Sequence, residues 1–196
     1  MQVAILKYNA GNIRSVVNAL KRIGCNPVIT DDAETLLSAD RIIFPGQGAA
    51  GTTMQHLRQH GLDRIIRSFK QPVLGICIGQ QLLCRHSEED DTDCLGIFPI
   101  DVKKFVPASH DEKVPAMGWN NICDLKTPLF NGLKEGDFAY FVHSYYAPIS
   151  DYTIATADYT GKFSAALHKD NFYATQFHPE KSGKVGEMIF ENFLSI

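Results

Sequence analysis

The stretch Pro72-Val73-Leu74-Gly75-Ile76-Cys77-Ile78-Gly79 constrains this chain more than any other. The apolar run before Cys77 reads as a buried strand, and it enters a segment with the character of a helix from Gly79 through Cys84. A chain that passes from strand to helix at one residue must turn back over the sheet it has just left. That points to strand-helix alternation and a sheet covered by helices. A residue on so sharp a turn is held at strained backbone angles, with little room two positions to either side, and Gly75 and Gly79 meet that need.

The first half supplies the alternation. Residues 2–8 form an apolar run broken at Asn9-Ala10-Gly11, after which Ile13, Val16, Val17, Leu20 and Ile23 recur at helical spacing. A strand at 27–30, a helix near 33–37 and a strand over Arg41-Ile42-Ile43-Phe44 follow, the last closed by Pro45-Gly46-Gln47-Gly48. Leu57, Leu62, Ile65, Ile66 and Phe69 predict one or two helices before the strand into Cys77. The second half predicts strands near 101–105, 119–123, 138–144, 153–158, 163–168 and 172–177, then a helix on Val185, Met188, Ile189 and Phe193. The expected fold is α/β: a single domain over 1–196 with a mostly parallel central sheet flanked by helices, plus a smaller antiparallel strand cluster in the second half. Glu88-Glu89-Asp90-Asp91 reads as a solvated loop.

Composition excludes several classes. The net charge is −3 and no basic run stands out, so no nucleic-acid footprint is present. The longest apolar stretches fall far short of the roughly 20 residues of a membrane span, and Met1-Gln2-Val3-Ala4-Ile5-Leu6 reads as a strand without a signal-peptide pattern. The expectation is a cytoplasmic protein with no membrane or nucleic-acid partner. Five cysteines, odd in number and never spaced C-x-x-C, argue against a disulfide framework and a zinc site. No metal or cofactor is expected.

Cys77 on a strand-to-helix turn stands at a helix N-terminus, where partial positive charge favours a reactive thiolate. The alternative is a buried cysteine acting as a small hydrophobe, as most unpaired cysteines do. A nucleophile needs a base, and the base needs an orienter. Gln176-Phe177-His178-Pro179-Glu180 offers both: a strand delivers His178, and Pro179 turns the chain so that Glu180 reaches back to the imidazole. His143, in Phe141-Val142-His143-Ser144-Tyr145, is a rival base without a nearby acid in sequence. His56, His60, His86, His110 and His168 read as structural. Oxyanion donors are sought in Gly46, Gln47 and Gly48 and in the backbone N–H of Ile78; an ordinary turn is the other reading of the glycine-rich loop.

With these residues in place the sequence resembles the class I (triad) glutamine amidotransferases, through Gly75-Ile76-Cys77-Ile78-Gly79-Gln80-Gln81, His178-Pro179-Glu180 and Pro45-Gly46-Gln47-Gly48. Tyr8-Asn9-Ala10-Gly11-Asn12, Met117-Gly118-Trp119-Asn120, Tyr140-Phe141-Val142-His143-Ser144-Tyr145-Tyr146 and Gln176-Phe177-His178-Pro179-Glu180-Lys181-Ser182 are similar to the glutaminase subunits of imidazole glycerol phosphate synthase. The resemblance spans nearly the whole chain. It implies hydrolysis of glutamine by Cys77, His178 and Glu180, with ammonia passed to a (β/α)8-barrel cyclase partner in a heterodimer. That partner would make imidazole glycerol phosphate and AICAR from the ribonucleotide PRFAR in histidine biosynthesis. It further implies that Gln81, His143, Ser144 and Tyr145 hold glutamine, and that Asn12, Met117, Trp119 and Lys181 lie at the partner interface. Without the resemblance, Trp119 would be read as a core residue. The chain departs from the family at Gln47, often a small aliphatic residue there, and at Ala116, often histidine. Another class I amidotransferase, or a non-catalytic binding subunit of this fold, are the competing readings.

Overall fold

A computed structural model describes residues 1–9, 12–107 and 112–196; Ala10, Gly11 and His110 lie outside the described residues. The chain runs β1 (Val3–Leu6), α1 (Ile13–Arg22), β2 (Val28–Thr30), α2 (Ala33–Ser38), β3 (Arg41–Phe44), α3 (Ala50–Gln59), α4 (Leu62–Ser68), β4 (Val73–Ile76) and α5 (Ile78–Leu83). It continues through β5 (Cys84–Ser87), β6 (Thr92–Asp93), β7 (Phe98–Lys104), β8 (Ala116–Asn121), β9 (Phe138–His143), β10 (Tyr145–Tyr146), β11 (Thr153–Asp158), β12 (Lys162–Lys169), β13 (Phe172–Thr175) and α6 (Gly183–Ser195).

The main sheet has seven strands in the order β11-β12-β13-β4-β3-β1-β2. The pairs from β2 through β13 are parallel, and β11 and β12 are antiparallel additions at the far edge. The period of two along a strand, with both faces covered, explains why β1 and β4 are apolar throughout and β3 is apolar after Arg41. In β1, Val3 and Ile5 join the core that holds Val16 and Leu20 of α1 and Ile189, Phe190 and Phe193 of α6. Ala4 and Leu6 face the opposite core, with Met54 and Leu57 of α3, Ile66 of α4 and Leu82 and Leu83 of α5.

The second half departs from expectation in detail. Its strands do not form one small cluster: β11, β12 and β13 extend the main sheet, β8 and β9 pair as an antiparallel ribbon, and β10-β7-β5-β6 form a separate four-stranded sheet. The acidic run is no simple solvated loop. It forms a 3-10 turn over Glu89–Asp91, in which Glu89 accepts a 2.7 Å hydrogen bond from the Ala50 N–H at the start of α3. Glu88 accepts from the Lys104 N–H at 2.7 Å. Two carboxylates thus satisfy backbone donors that the fold would otherwise leave open.

Candidate active site

Cys77 lies between β4 and α5 with φ 52° and ψ −106°, a left-handed conformation that costs roughly 1–3 kcal/mol and persists only where its surroundings enforce it. The enforcement is visible. The Cys77 N–H donates to Thr175 O of β13 at 2.7 Å, continuing the parallel ladder one residue past the strand. A Cβ at Gly79 would strike the Phe44 carbonyl oxygen, and one at Gly75 would meet Leu83 Cδ1 at 2.7 Å. Both glycines are therefore needed for α5 to fold back against β3 and β4. Gly46 answers the same constraint from β3: a Cβ there would collide with Ile76 O and the Ile78 backbone nitrogen. The loop after β3 and the turn after β4 consequently lie in direct contact.

His178 follows β13, which lies beside β4 in the sheet. Its Nδ1 donates to Glu180 Oε1 at 2.8 Å, and the two side chains are only 1% and 2% exposed. Pro179 opens the 3-10 turn that bends Glu180 back. His178 Nε2 meets no oxygen or nitrogen partner among the described residues and interacts with the Cys77 sulfur. Burial alone would lower the imidazole pKa; the negative charges of Cys77 and Glu180 outweigh it and raise it to about 10. The site thus favours the protonated imidazole of His178 beside the sulfur.

Cys77 and His178 open into a cavity of about 400 Å³ that is also lined by Gly46, Gln47, Gly48, Ile78, Gln81, His143, Ser144 and Tyr145. The residues read from sequence as nucleophile, base, oxyanion loop and substrate wall thus meet in one cavity, with Glu180 directly behind His178. The rival base His143 is held neutral. Burial lowers its pKa to about 4, and Nδ1 donates to Tyr145 O at 2.7 Å. Tyr8 anchors the glycine loop by donating its hydroxyl to Pro45 O, and burial raises its pKa.

Sequence reasoning missed Glu89, Pro115 and Val142, which complete the lining. Burial raises the Glu89 pKa. It also left Gln176 without a role, although its amide reaches the sulfur. Only the proximity of Gln176 to His178 in sequence could have flagged it; Glu89 reaches the cavity through contacts far apart in the chain.

Trp119 is 56% and Met117 66% exposed, so Trp119 is no core residue. Trp119 packs edge-on against Tyr140 with centroids 5.9 Å apart, and Lys181 Nζ lies 5.7 Å from the same Tyr140 ring. Asn12 caps α1 by accepting from the Ser15 N–H at 3.3 Å, and α1 packs beside the turn that carries Lys181. Trp119 and Lys181 therefore meet at the Tyr140 ring of β9, and Met117 pairs with Val142 further along the same strand, which runs into His143.

The family profile described as Glutamine amidotransferase class-I matches residues 4–196. The chain belongs to the class I glutamine amidotransferases. The chain is 62% identical over 196 residues to an imidazole glycerol phosphate synthase subunit HisH from Bacteroides thetaiotaomicron, covering 100% of both. It is 45% identical to an imidazole glycerol phosphate synthase subunit HisH 2 from Legionella pneumophila, over 99% of this chain and 98% of the relative. A solved glutamine amidotransferase superimposes with a TM-score of 0.77 over 100% of this chain and 98% of its own, at 19% identity, which speaks for the amidotransferase fold. Among the described residues no helix is long and apolar enough to cross a membrane.

Proposed function

We propose that this amidotransferase is the glutaminase subunit of imidazole glycerol phosphate synthase, acting in the cytoplasm beside a (β/α)8-barrel cyclase. The single observation that carries the reading is the strained Cys77 turn facing a buried His178–Glu180 pair, in a chain similar over its full length to subunits of that synthase.

The Cys77 thiolate attacks the side-chain amide carbon of glutamine, and the C=O electron pair moves onto oxygen. The Ile78 N–H and the N–H groups of Gly46-Gln47-Gly48 receive that oxyanion, where a preorganised donor is worth roughly 3 kcal/mol. His178 gives its proton to the departing nitrogen, the C–N bond breaks and ammonia leaves, with the acyl group on sulfur as a thioester. His178, now neutral, takes a proton from the water that attacks the thioester. The C–S bond breaks, releasing glutamate and restoring the ion pair. Glu180 holds the imidazole in one orientation throughout and offsets its charge. Gln81, Ser144 and Tyr145 form the wall against which glutamine lies, and the partly buried Glu89 carboxylate suits its α-ammonium.

Ammonia then crosses to the cyclase at a face made by Asn12, Met117, Trp119 and Lys181, where it joins PRFAR to give imidazole glycerol phosphate and AICAR. Cys77→Ala in the assembled synthase should abolish glutamine-dependent product formation and leave ammonia-dependent formation intact. Glutamate release by that variant would refute the assignment. Stimulation of wild-type hydrolysis by a different acceptor would point to another class I pathway.

A further inference from the structure

A line of amides runs under the cavity and ends on the nucleophile. Gln81 Nε2 donates to Tyr145 O at 2.8 Å and to Gln176 Oε1 at 3.0 Å, and Gln176 Nε2 reaches Cys77 Sγ at 3.7 Å. Gln176 is fully buried and Gln81 is 3% exposed. The direction of the line is dictated by chemistry. A backbone carbonyl can only accept, so Tyr145 O forces the amino end of the Gln81 amide toward it. Both Gln81 donors are then used, and the second one fixes Gln176 with its oxygen toward Gln81. That leaves the Gln176 amino group aimed at the sulfur. The origin of the line is itself clamped, because His143 Nδ1 donates to the same Tyr145 O at 2.7 Å. The Gln176 N–H donates to Ala165 O at 2.8 Å, tying its backbone into the sheet.

Besides His178, whose imidazole interacts with the sulfur, the other partner of Cys77 Sγ among the described residues is an acceptor, Val142 O at 3.8 Å, which suits a thiol and has nothing to offer a thiolate. From this we infer that Gln176 is a catalytic residue whose side-chain N–H stabilises the Cys77 thiolate, with Gln81 and His143 as the positioning residues that keep its amide from flipping. A donor to a charged acceptor is stronger than one to a neutral group, so the contact favours the anion over the thiol. In the catalytic cycle the same N–H serves twice: it holds the attacking sulfur, and it receives the charge again when the thioester breaks. The inference extends the glutaminase reading to a group within reach of the reacting atom.

The test is alkylation of Cys77 by iodoacetamide across pH in the full-length chain, followed by peptide mass spectrometry so that the partly exposed Cys25 and Cys123 do not contribute. The reagent needs no glutamine site. His178 and Glu180, whose charges also act around the sulfur, and the neighbouring Tyr8 stay unchanged in every variant. Gln176→Leu should slow alkylation at neutral pH about tenfold and move the midpoint of the pH–rate profile up by about one unit, the change that one lost charge-assisted hydrogen bond gives. Gln176→Glu keeps the shape without the donor, should slow the reaction at least as much, and decides the matter if the leucine variant fails to fold. Gln81→Met, which frees the Gln176 amide to turn over, should slow it about threefold. Wild-type alkylation profiles in the folded Gln176 variants would overturn the inference. Glutamate release by the assembled wild-type synthase, measured alongside, tests the glutaminase reading separately: release with unshifted profiles leaves that reading standing and removes Gln176, and shifted profiles without release do the opposite.

Discussion

His178 and His143 border one cavity and hold their protons in opposite ways, because one faces negative charge and the other is buried among rings beside the positive charge of His178. The folded chain raises His178 from 6.5 to about 10 and lowers His143 from 6.5 to about 4. A raised histidine stabilises the fold fully below its unfolded value, and that contribution is lost as pH rises from 6.5 through about 10. A lowered one contributes above 6.5, and the contribution is lost as pH falls through about 4. Urea-unfolding free energy plotted against pH should therefore decline on both sides of neutrality. His143→Asn, whose amide can replace the Nδ1 donor without titrating, should flatten the acid limb. For so buried a ring the effect is on the order of 3 kcal/mol. Cys77→Ala should flatten the alkaline limb, since the sulfur supplies the largest raising influence on His178. An acid limb unchanged in His143→Asn would show that His143 is not held neutral by the fold.

At the level of elements, the triad is aligned by two close approaches that exclude a side chain. One joins α5 to β3 at Gly79. The other joins α6 to the turn that carries Glu180, where a Cβ at Gly186 would collide with Pro179 O and lie 2.6 Å from its carbonyl carbon. Alanine inside a helix is ordinarily preferred over glycine by about 1 kcal/mol. Here the collision with backbone outweighs that, so Gly186→Ala should destabilise the chain by roughly 1–3 kcal/mol. It should also displace Glu180 and lower kcat for glutamine hydrolysis by up to about a hundredfold. Thermal unfolding and glutamate release measure the two effects, and a more stable, fully active variant would contradict the argument. Gly75 and Gly79 were legible as steric requirements because they flank a cysteine in a strand-to-helix pattern. Gly186 was not, because its constraint comes from a turn packed against α6 and leaves no local signature. The same distinction holds for the strands. β1 and β4 are continuous apolar runs and β3 is one after Arg41, as burial on both faces demands. The polar β5 and two-residue β6 and β10 owe their pairing to long-range partners and could not be read. In the candidate site, Cys77, His178 and Glu180 could be read because turn chemistry and spacing betray them, whereas Glu89 and Gln176 reach the cavity only once the fold is assembled.

For the molecule as a whole, the proposed docking face makes its sharpest demand on Trp119 of the β8–β9 ribbon. A tryptophan serving the core would be enclosed, and its truncation would cost several kcal/mol of stability. Trp119 is instead more than half exposed on a ribbon whose β9 strand leads into the candidate site at His143, with Met117 exposed beside it. Under the proposed function a docked cyclase would cover this ring and seal the ammonia path, since ammonia meeting bulk water is protonated and loses its nucleophilicity. Truncation should then register in the assembled synthase and hardly in the isolated chain. Trp119→Ala should leave the unfolding free energy of the free subunit within about 0.5 kcal/mol of wild type, as expected of an exposed site. Its affinity for the cyclase should fall by at least tenfold, as for an aromatic anchor worth about 2 kcal/mol or more. With enough cyclase to saturate the variant, glutamate release should exceed product formation, because ammonia escapes at the unsealed face. Calorimetric titration and paired assays of glutamate and imidazole glycerol phosphate give these quantities. Unchanged affinity with one product per glutamate would move the partner contact away from the β8–β9 ribbon.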